Sequence, residues 1–205
     1  MSSSFNLTKN VPFSLTKSAP SLRKIKFGLG WEENRLAGQK SFDLDASAIV
    51  VGTNGLMLDP SNYVGYVGYV RPDYTVHGVS YGGDNRVGSG VDDAEFIEVD
   101  LDQVGAEVEK IVIAVTIYAA RTRKQSFSQV RNAYIRLHNT ETDTEVARSN
   151  LTTSGSTATA IIFGELTRVN GNEWEFISSE TVVPGGLSGV CGKFGLTIPE
   201  EVDQG

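Results

Sequence analysis

Apolar residues come in short runs broken by glycine and asparagine, and their periodicity is mostly that of β-structure. Residues 111–118, Ile-Val-Ile-Ala-Val-Thr-Ile-Tyr, are rich in β-branched side chains and predict a strand buried on both faces. Residues 132–138 alternate, with Ala133, Ile135 and Leu137 on one face and Tyr134, Arg136 and His138 on the other. Residues 160–166 predict a further interior strand. Asn54-Gly55 between Val50-Val51 and Leu56-Met57-Leu58 is a hairpin signal, repeated by Asn170-Gly171 between Val169 and Trp174. Helix is scarce: residues 102–109 and 126–131 predict short turns at most, and Gly105 weakens the first. Many short strands joined by glycine-rich turns predict an all-β fold, a sandwich of two mainly antiparallel sheets with one or two short helices. Strands do not alternate with long helices, which argues against a doubly wound α/β fold.

Size and composition sharpen this picture in a few places. A chain of 205 residues and 22.1 kDa is most simply one domain with a substantial core. We expect a flexible segment over residues 1–11, the sandwich over 12–198 and an acidic tail over 199–205. The echo of Asn6-Leu-Thr-Lys9 in Ser14-Leu-Thr-Lys17 suggests paired short strands. A net charge of −7 argues against a general nucleic-acid binder and suits a cation-binding protein, or plain solubility. Cys191 is the sole cysteine, so a disulfide framework is excluded, and His77 and His138 lack the local spacing of a zinc pair. The opening Met1-Ser-Ser-Ser-Phe-Asn lacks the basic and apolar regions of a signal peptide, and no apolar run is long enough to span a bilayer. A reducing, cytoplasmic setting is the default expectation.

The stretch from Tyr81 to Phe96 carries the strongest chemical signal. Its glycines alternate with Asp84, Asn85, Asp92, Asp93 and Glu95. Glycine permits the positive-φ turns that gather backbone and side-chain oxygens around a hard cation. Upstream, Phe42-Asp43-Leu44-Asp45-Ala46-Ser47 puts Asp43 and Asp45 on one face of a strand and Phe42, Leu44 and Ala46 on the other. Adjacent carboxylates repel unless a cation or a basic side chain sits between them. If the loop folds over that strand, Asp43, Asp45, Asp84, Asp93 and Glu95 supply several oxygens, and Asn85 and glycine carbonyls complete a shell suited to Ca²⁺. A lack of nearby histidine and cysteine disfavours zinc and copper. The competing reading is a solvated acidic turn, with Asp and Asn chosen for turn geometry. The EF-hand pattern is not met.

Several motifs in one order resemble the TerD family of tellurium-resistance and stress proteins. They are Phe27-Gly-Leu-Gly30-Trp31, Phe42-Asp-Leu-Asp-Ala-Ser47, Gly83-Asp-Asn85 with Gly88-x-Gly90 and Glu95, and Gln125-Ser-Phe-x-Gln-Val-Arg-Asn132. Ser14-Leu-Thr-Lys17 before Ala19-Pro20, Val146-Ala-Arg148, Phe163-Gly-Glu-Leu166 and Trp174 extend the likeness from about residue 12 to residue 196. The resemblance implies a Ca²⁺-binding β-sandwich with a cytoplasmic role in tellurite and other chemical or phage stress, and no established enzymatic reaction. Carried over by position, the implied ligands are Asp43, Asp45, Asp84, Asn85, Asp93 and Glu95, with carbonyls near Gly88 and Gly90. The chain departs from the family at Asp92-Asp93-Ala94-Glu95, where members commonly have Asp-Asp-Glu, and at Ala119, where many are acidic. One cation site rather than two is therefore the expectation.

Other features carry less. Tyrosines 63, 66 and 69 are spaced too closely for one face of a flat strand, so residues 63–74 predict a loop or bulge whose tyrosines cover a sheet edge. Arg121, Arg123, Lys124, Arg131 and Arg136 offer two readings, a phosphate- or nucleic-acid-binding patch and, favoured here, a solvated turn plus ion-pair partners for the acidic loops. Cys191 reads as a small buried filler. No Ser-His-Asp assembly or nucleophile elbow is present, and Gly28-Leu-Gly30 lacks the third glycine of a dinucleotide site. The sequence thus predicts a non-enzymatic calcium-binding scaffold or sensor that works with other stress-response proteins or a larger assembly. No nucleic acid, transmembrane segment or small-molecule substrate is expected. The alternative is a structural sandwich, virion- or assembly-associated, in which calcium only stabilises the fold.

Overall fold

The computed structural model describes residues 8–18, 22–33, 40–66, 75–88, 93–151 and 157–198. Its strands are β1 (Pro12–Ser14), β2 (Lys24–Gly30), β3 (Leu44–Gly52), β4 (Tyr63–Gly65), β5 (Thr75–Val76), β6 (Val79–Tyr81), β7 (Glu95–Asp100), β8 (Val108–Ile117), β9 (Tyr134–Asn139), β10 (Thr144–Asn150), β11 (Ala160–Val169) and β12 (Glu173–Val182). Helical pieces are short: α1 (Leu15–Ser18), α2 (Ala120–Arg123) and α3 (Gly186–Lys193). The strands form two six-stranded sheets, β1-β12-β11-β8-β3-β4 and β10-β9-β2-β7-β6-β5. Every strand pairing is antiparallel. The expected all-β sandwich is the observed fold.

Alternation along the strands explains how the sheets pack. Ile25, Phe27 and Leu29 of β2, and Ile135 and Leu137 of β9, face Leu44, Ala46, Ala48 and Val50 of β3 across the core. Phe27 meets Phe176 and Phe163 there, with ring centroids 5.5 and 6.5 Å away. The first sheet is covered on its other face as well. Ile49 and Val51 of β3 and Val112 and Ala114 of β8 pack under Leu187, Val190 and Cys191 of α3. That outer layer is why β8 reads as apolar on both faces.

Local expectations fare unevenly. Residues 111–118, 132–138 and 160–166 fall within or against β8, β9 and β11 as expected. The Asn170-Gly171 turn joins β11 to β12, with φ of 46° and 87° at the two residues. Asn54-Gly55 also turns, but its far side forms only a single bridge, Met57 to Val51, because β4 takes the place beside β3. Residues 102–109 contribute a 3₁₀ turn at Leu101–Gln103 and then run into β8, and residues 126–131 a second turn at Phe127–Gln129. One expectation is corrected. Ser14-Leu-Thr-Lys17 is not half of a strand pair: its last three residues are helical in α1, and β1 pairs with β12. The helix α3 went unpredicted because four glycines in and just before it mask a short apolar face. The expected flexible start and acidic tail fall mostly or wholly outside the described residues.

Candidate metal centre

Asp43 and Asp45 reach one end of the sandwich because of the strand they enter. Phe42, Leu44 and Ala46 are drawn into the core, which turns the intervening carboxylates away from it. The Asp43 backbone is pinned by Tyr118, whose N–H donates to the Asp43 carbonyl at 2.8 Å. Asp84 arrives from the loop after β6. Each of the three carboxylates offers one oxygen to a cluster in which those atoms lie within 4.8 Å of one another. They line a cavity of about 20 Å³ with Tyr66, Arg86 and Tyr118. A water-sized species needs roughly 10–15 Å³, so there is room for one ion and little more.

The electrostatics of this cluster are those of a place built for positive charge. Asp43 and Asp45 are 5 % and 6 % exposed, and the Asp43 Oδ1 atom is buried without a hydrogen-bond partner. An orphaned buried carboxylate oxygen is costly unless something outside the chain meets it. Burial raises the Asp43 carboxyl above its ordinary value; the Arg123 guanidinium opposes this and Asp84 adds to it. Asp45 is pushed up well above the ordinary range, first by burial and then by the charges of Glu95, Asp43 and Asp84. Burial and the neighbouring carboxylates disfavour the charged forms of Asp43 and Asp45, and a cation would relieve this. With oxygen donors alone, the residues present fit a hard divalent ion.

Glu95 stands behind the cluster as a support. Its Oε2 accepts from the Ala46 N–H at 2.8 Å and its Oε1 from the Asn85 N–H at 3.1 Å, which ties β3 to the loop. Burial pushes Glu95 up to about 8 even though both N–H groups pull it down. Asn85 folds its own loop: its Oδ1 accepts from Val87 and Gly88 N–H groups, each at 3.1 Å. Gly88 lies against Trp31, whose Nε1–H donates to the Phe42 carbonyl at 3.1 Å.

Asp93 is held elsewhere. Arg136 donates to it from two nitrogens, at 2.7 and 2.8 Å, the Lys26 ammonium lies 3.0 Å away, and the Tyr134 hydroxyl is 3.3 Å away. Burial alone would raise this carboxyl, but the bonds and charges of Arg136 and Lys26 outweigh it and leave it lowered. The approach depends on Gly28, where a Cβ would fall 2.2 Å from the Asp93 carboxyl carbon. Of the predicted ligands, the fold therefore gathers Asp43, Asp45 and Asp84, with Glu95 and Asn85 beside them. Gly88 sits on Trp31, Asp93 is set apart, and Gly90 lies outside the described residues.

Two basic residues complete the rim. Arg123, carried by α2, reaches Asp43 Oδ2 at 3.4 Å and lies over the Tyr118 ring at 4.9 Å. Arg86 donates to Asp84 Oδ2 at 2.9 Å and lies over the Tyr66 ring at 6.0 Å. Arg123 belongs to the basic group expected to pair with the acidic loops. Arg86 was not singled out, although its place two residues after Asp84 was the available signal. His77 and His138 pair with Glu107 and Asp143 away from the cluster.

A two-sheet antiparallel sandwich with an acidic cluster at one end defines the class of domain. The TerD domain family matches residues 3–194, and the chain belongs to that family. It is 44% identical over 193 residues to a "Tellurium resistance protein TerD" of Serratia marcescens, covering 94% of this chain and 98% of that one. It is 37% identical to "General stress protein 16U" of Bacillus subtilis, again over 94% of this chain and 98% of the relative. A crystal structure of a TerD homologue from Streptomyces coelicolor superposes with a TM-score of 0.67 over 85% of this chain and 97% of the other; at 18% identity it speaks to the fold alone. Among the described residues no helix is long and apolar enough to cross a membrane.

Proposed function

We propose that this protein is a calcium-binding, non-enzymatic member of the tellurium-resistance and stress-response group, acting in the cytoplasm as a scaffold or sensor. The observation that carries the reading is the convergence of Asp43, Asp45 and Asp84, with the Asp43 Oδ1 atom buried and unpartnered. Asp43, Asp45 and Asp84 would hold the ion, and Glu95 would brace the loop against β3 through its bonds to Ala46 and Asn85. Calcium supplies charge neutralisation there, which removes the mutual repulsion of the carboxylates and orders the loop after β6. Calcium is favoured over magnesium because it accepts many protein oxygens in a loose geometry, whereas magnesium keeps its waters. The tellurium and stress role is supported by the names of the relatives, and other stress-response proteins are the partners it suggests.

Calorimetric titration of chelator-treated protein with Ca²⁺ tests the reading. Binding heat and a rise in melting temperature with excess ion are expected. Asp84→Ala removes both, while Glu98→Ala, on an exposed position of β7, leaves them. Absence of any calcium response in the wild type refutes the proposal.

A further inference from the structure

The arginines at the mouth of the acidic cavity have a use that the carboxylates alone do not explain. Resting on the calcium reading above, we propose that Arg86 and Arg123 form, with the bound ion, a calcium-dependent site for a phosphate-class oxyanion. Three carboxylate oxygens converge, whereas calcium asks for about six to eight oxygens. Part of the shell must therefore come from other oxygens. The cavity of about 20 Å³ admits the ion but not an anion beside it, so an added ligand comes to the mouth.

The mouth is equipped for negative charge. Arg123 lies on Asp43 and Arg86 on Asp84, so carboxylates of the cluster engage both guanidiniums. A divalent ion competes for those carboxylates and frees both groups. Neither arginine then drifts away, because each also lies over a tyrosine ring, Tyr118 for Arg123 and Tyr66 for Arg86. The planar fork of a guanidinium matches the oxygens of a phosphate. The side chain of Arg86 is 67 % exposed and reachable from solvent, and that of Arg123, at 17 %, is the more enclosed of the two. The same carboxylates that bind the ion thus block the anion site when the ion is absent.

Methyl phosphate is the probe, titrated by calorimetry into the full chain with saturating Ca²⁺ and again with chelator. Binding is expected with Ca²⁺ and not with chelator. The double variant Arg86→Gln/Arg123→Gln should keep or gain calcium affinity, because the guanidiniums compete with the ion, yet weaken methyl phosphate at least about tenfold. The pair Arg86→Lys/Arg123→Lys, which keeps charge without the fork, should recover part of that loss. Calcium binding with no methyl phosphate uptake, or equal uptake by wild type and the Gln pair, overturns this inference and leaves the calcium reading standing. A wild type that takes up no calcium removes both. Co-sedimentation with phosphatidic acid vesicles in Ca²⁺, lost in the Gln pair, assigns the oxyanion to a lipid headgroup. Methyl phosphate binding without co-sedimentation assigns it to a free phosphate.

Discussion

Asp93, at the end of the acidic loop, and Asp45, on β3, are both carboxylates with little exposure, yet the fold treats them in opposite ways. Asp93 receives two nitrogens of Arg136 and the ammonium of Lys26, so its charge is neutralised by the chain itself and its carboxyl is held low. Asp45 is surrounded by Asp43, Asp84 and Glu95, so its charge is opposed by the chain and its carboxyl is held high. Asp93 is a finished ion pair that anchors the loop to β2 and β9. Asp45 stands in an acidic cluster that is a candidate cation site. The contrast teaches that acidic residues in a ligand-like motif divide into those the chain neutralises itself and those it leaves clustered together, and their counter-charges distinguish the two.

The largest test of this contrast is Asp93→Asn. It strands Arg136 and Lys26 against a group that no longer carries charge, and a broken buried pair costs about 3–5 kcal/mol. Urea unfolding should show that loss, while the calcium-induced gain in stability persists. If the gain disappears as well, Asp93 is a ligand and the division fails. Asp45→Asn is the mirror case. It should leave the ion-free protein as stable or more so, and abolish a calcium stabilisation of about 2.7 kcal/mol at a hundredfold excess over Kd.

The same contrast sets the pH dependence. Asp45 and Glu95 have raised carboxyls, so the stability they contribute is complete below their ordinary range and is lost as pH climbs through about 8 for Glu95. Asp93 has a lowered carboxyl, so its contribution is present above the ordinary range and lost as pH falls through its depressed value. Melting in chelator should therefore decline from mildly acid to mildly alkaline pH, and excess Ca²⁺ should flatten that decline. Gly28→Ala, which drives a methyl into the Asp93 carboxyl, should cost about 1–3 kcal/mol without altering calcium affinity. Smallest of all, Arg86→Gln should change the melting temperature in chelator by little, because the Arg86 side chain, 67 % exposed, makes its pair with Asp84 from the solvent side.

Much of the fold was legible because a strand's alternation is a local property. Phe42, Leu44 and Ala46 announced both a buried face and a polar one, and the position of Asp43 and Asp45 followed from it. β8 was readable as doubly buried, although what covers its outer face was not: α3 lies far along the chain, and glycines hide its apolar side. The motif Phe27-Gly-Leu-Gly30-Trp31 was recognisable as a family feature without its physical purpose. The fold shows that purpose. Gly28 makes room for Asp93, the Leu29 carbonyl accepts from the Ala94 N–H at 2.7 Å, and Trp31 supports Gly88.

By itself, then, the sequence determined the sandwich and the acidic, glycine-rich loop. Composition and periodicity act over a few neighbouring residues, and those features need nothing more. Only the tertiary structure decided which carboxylates stand together. Asp93 is only two residues from Glu95, yet Arg136 and Lys26 draw it to the opposite side of β2 from the core. Asp43, Asp45 and Asp84 meet because β3 and the loop after β6 close on one point.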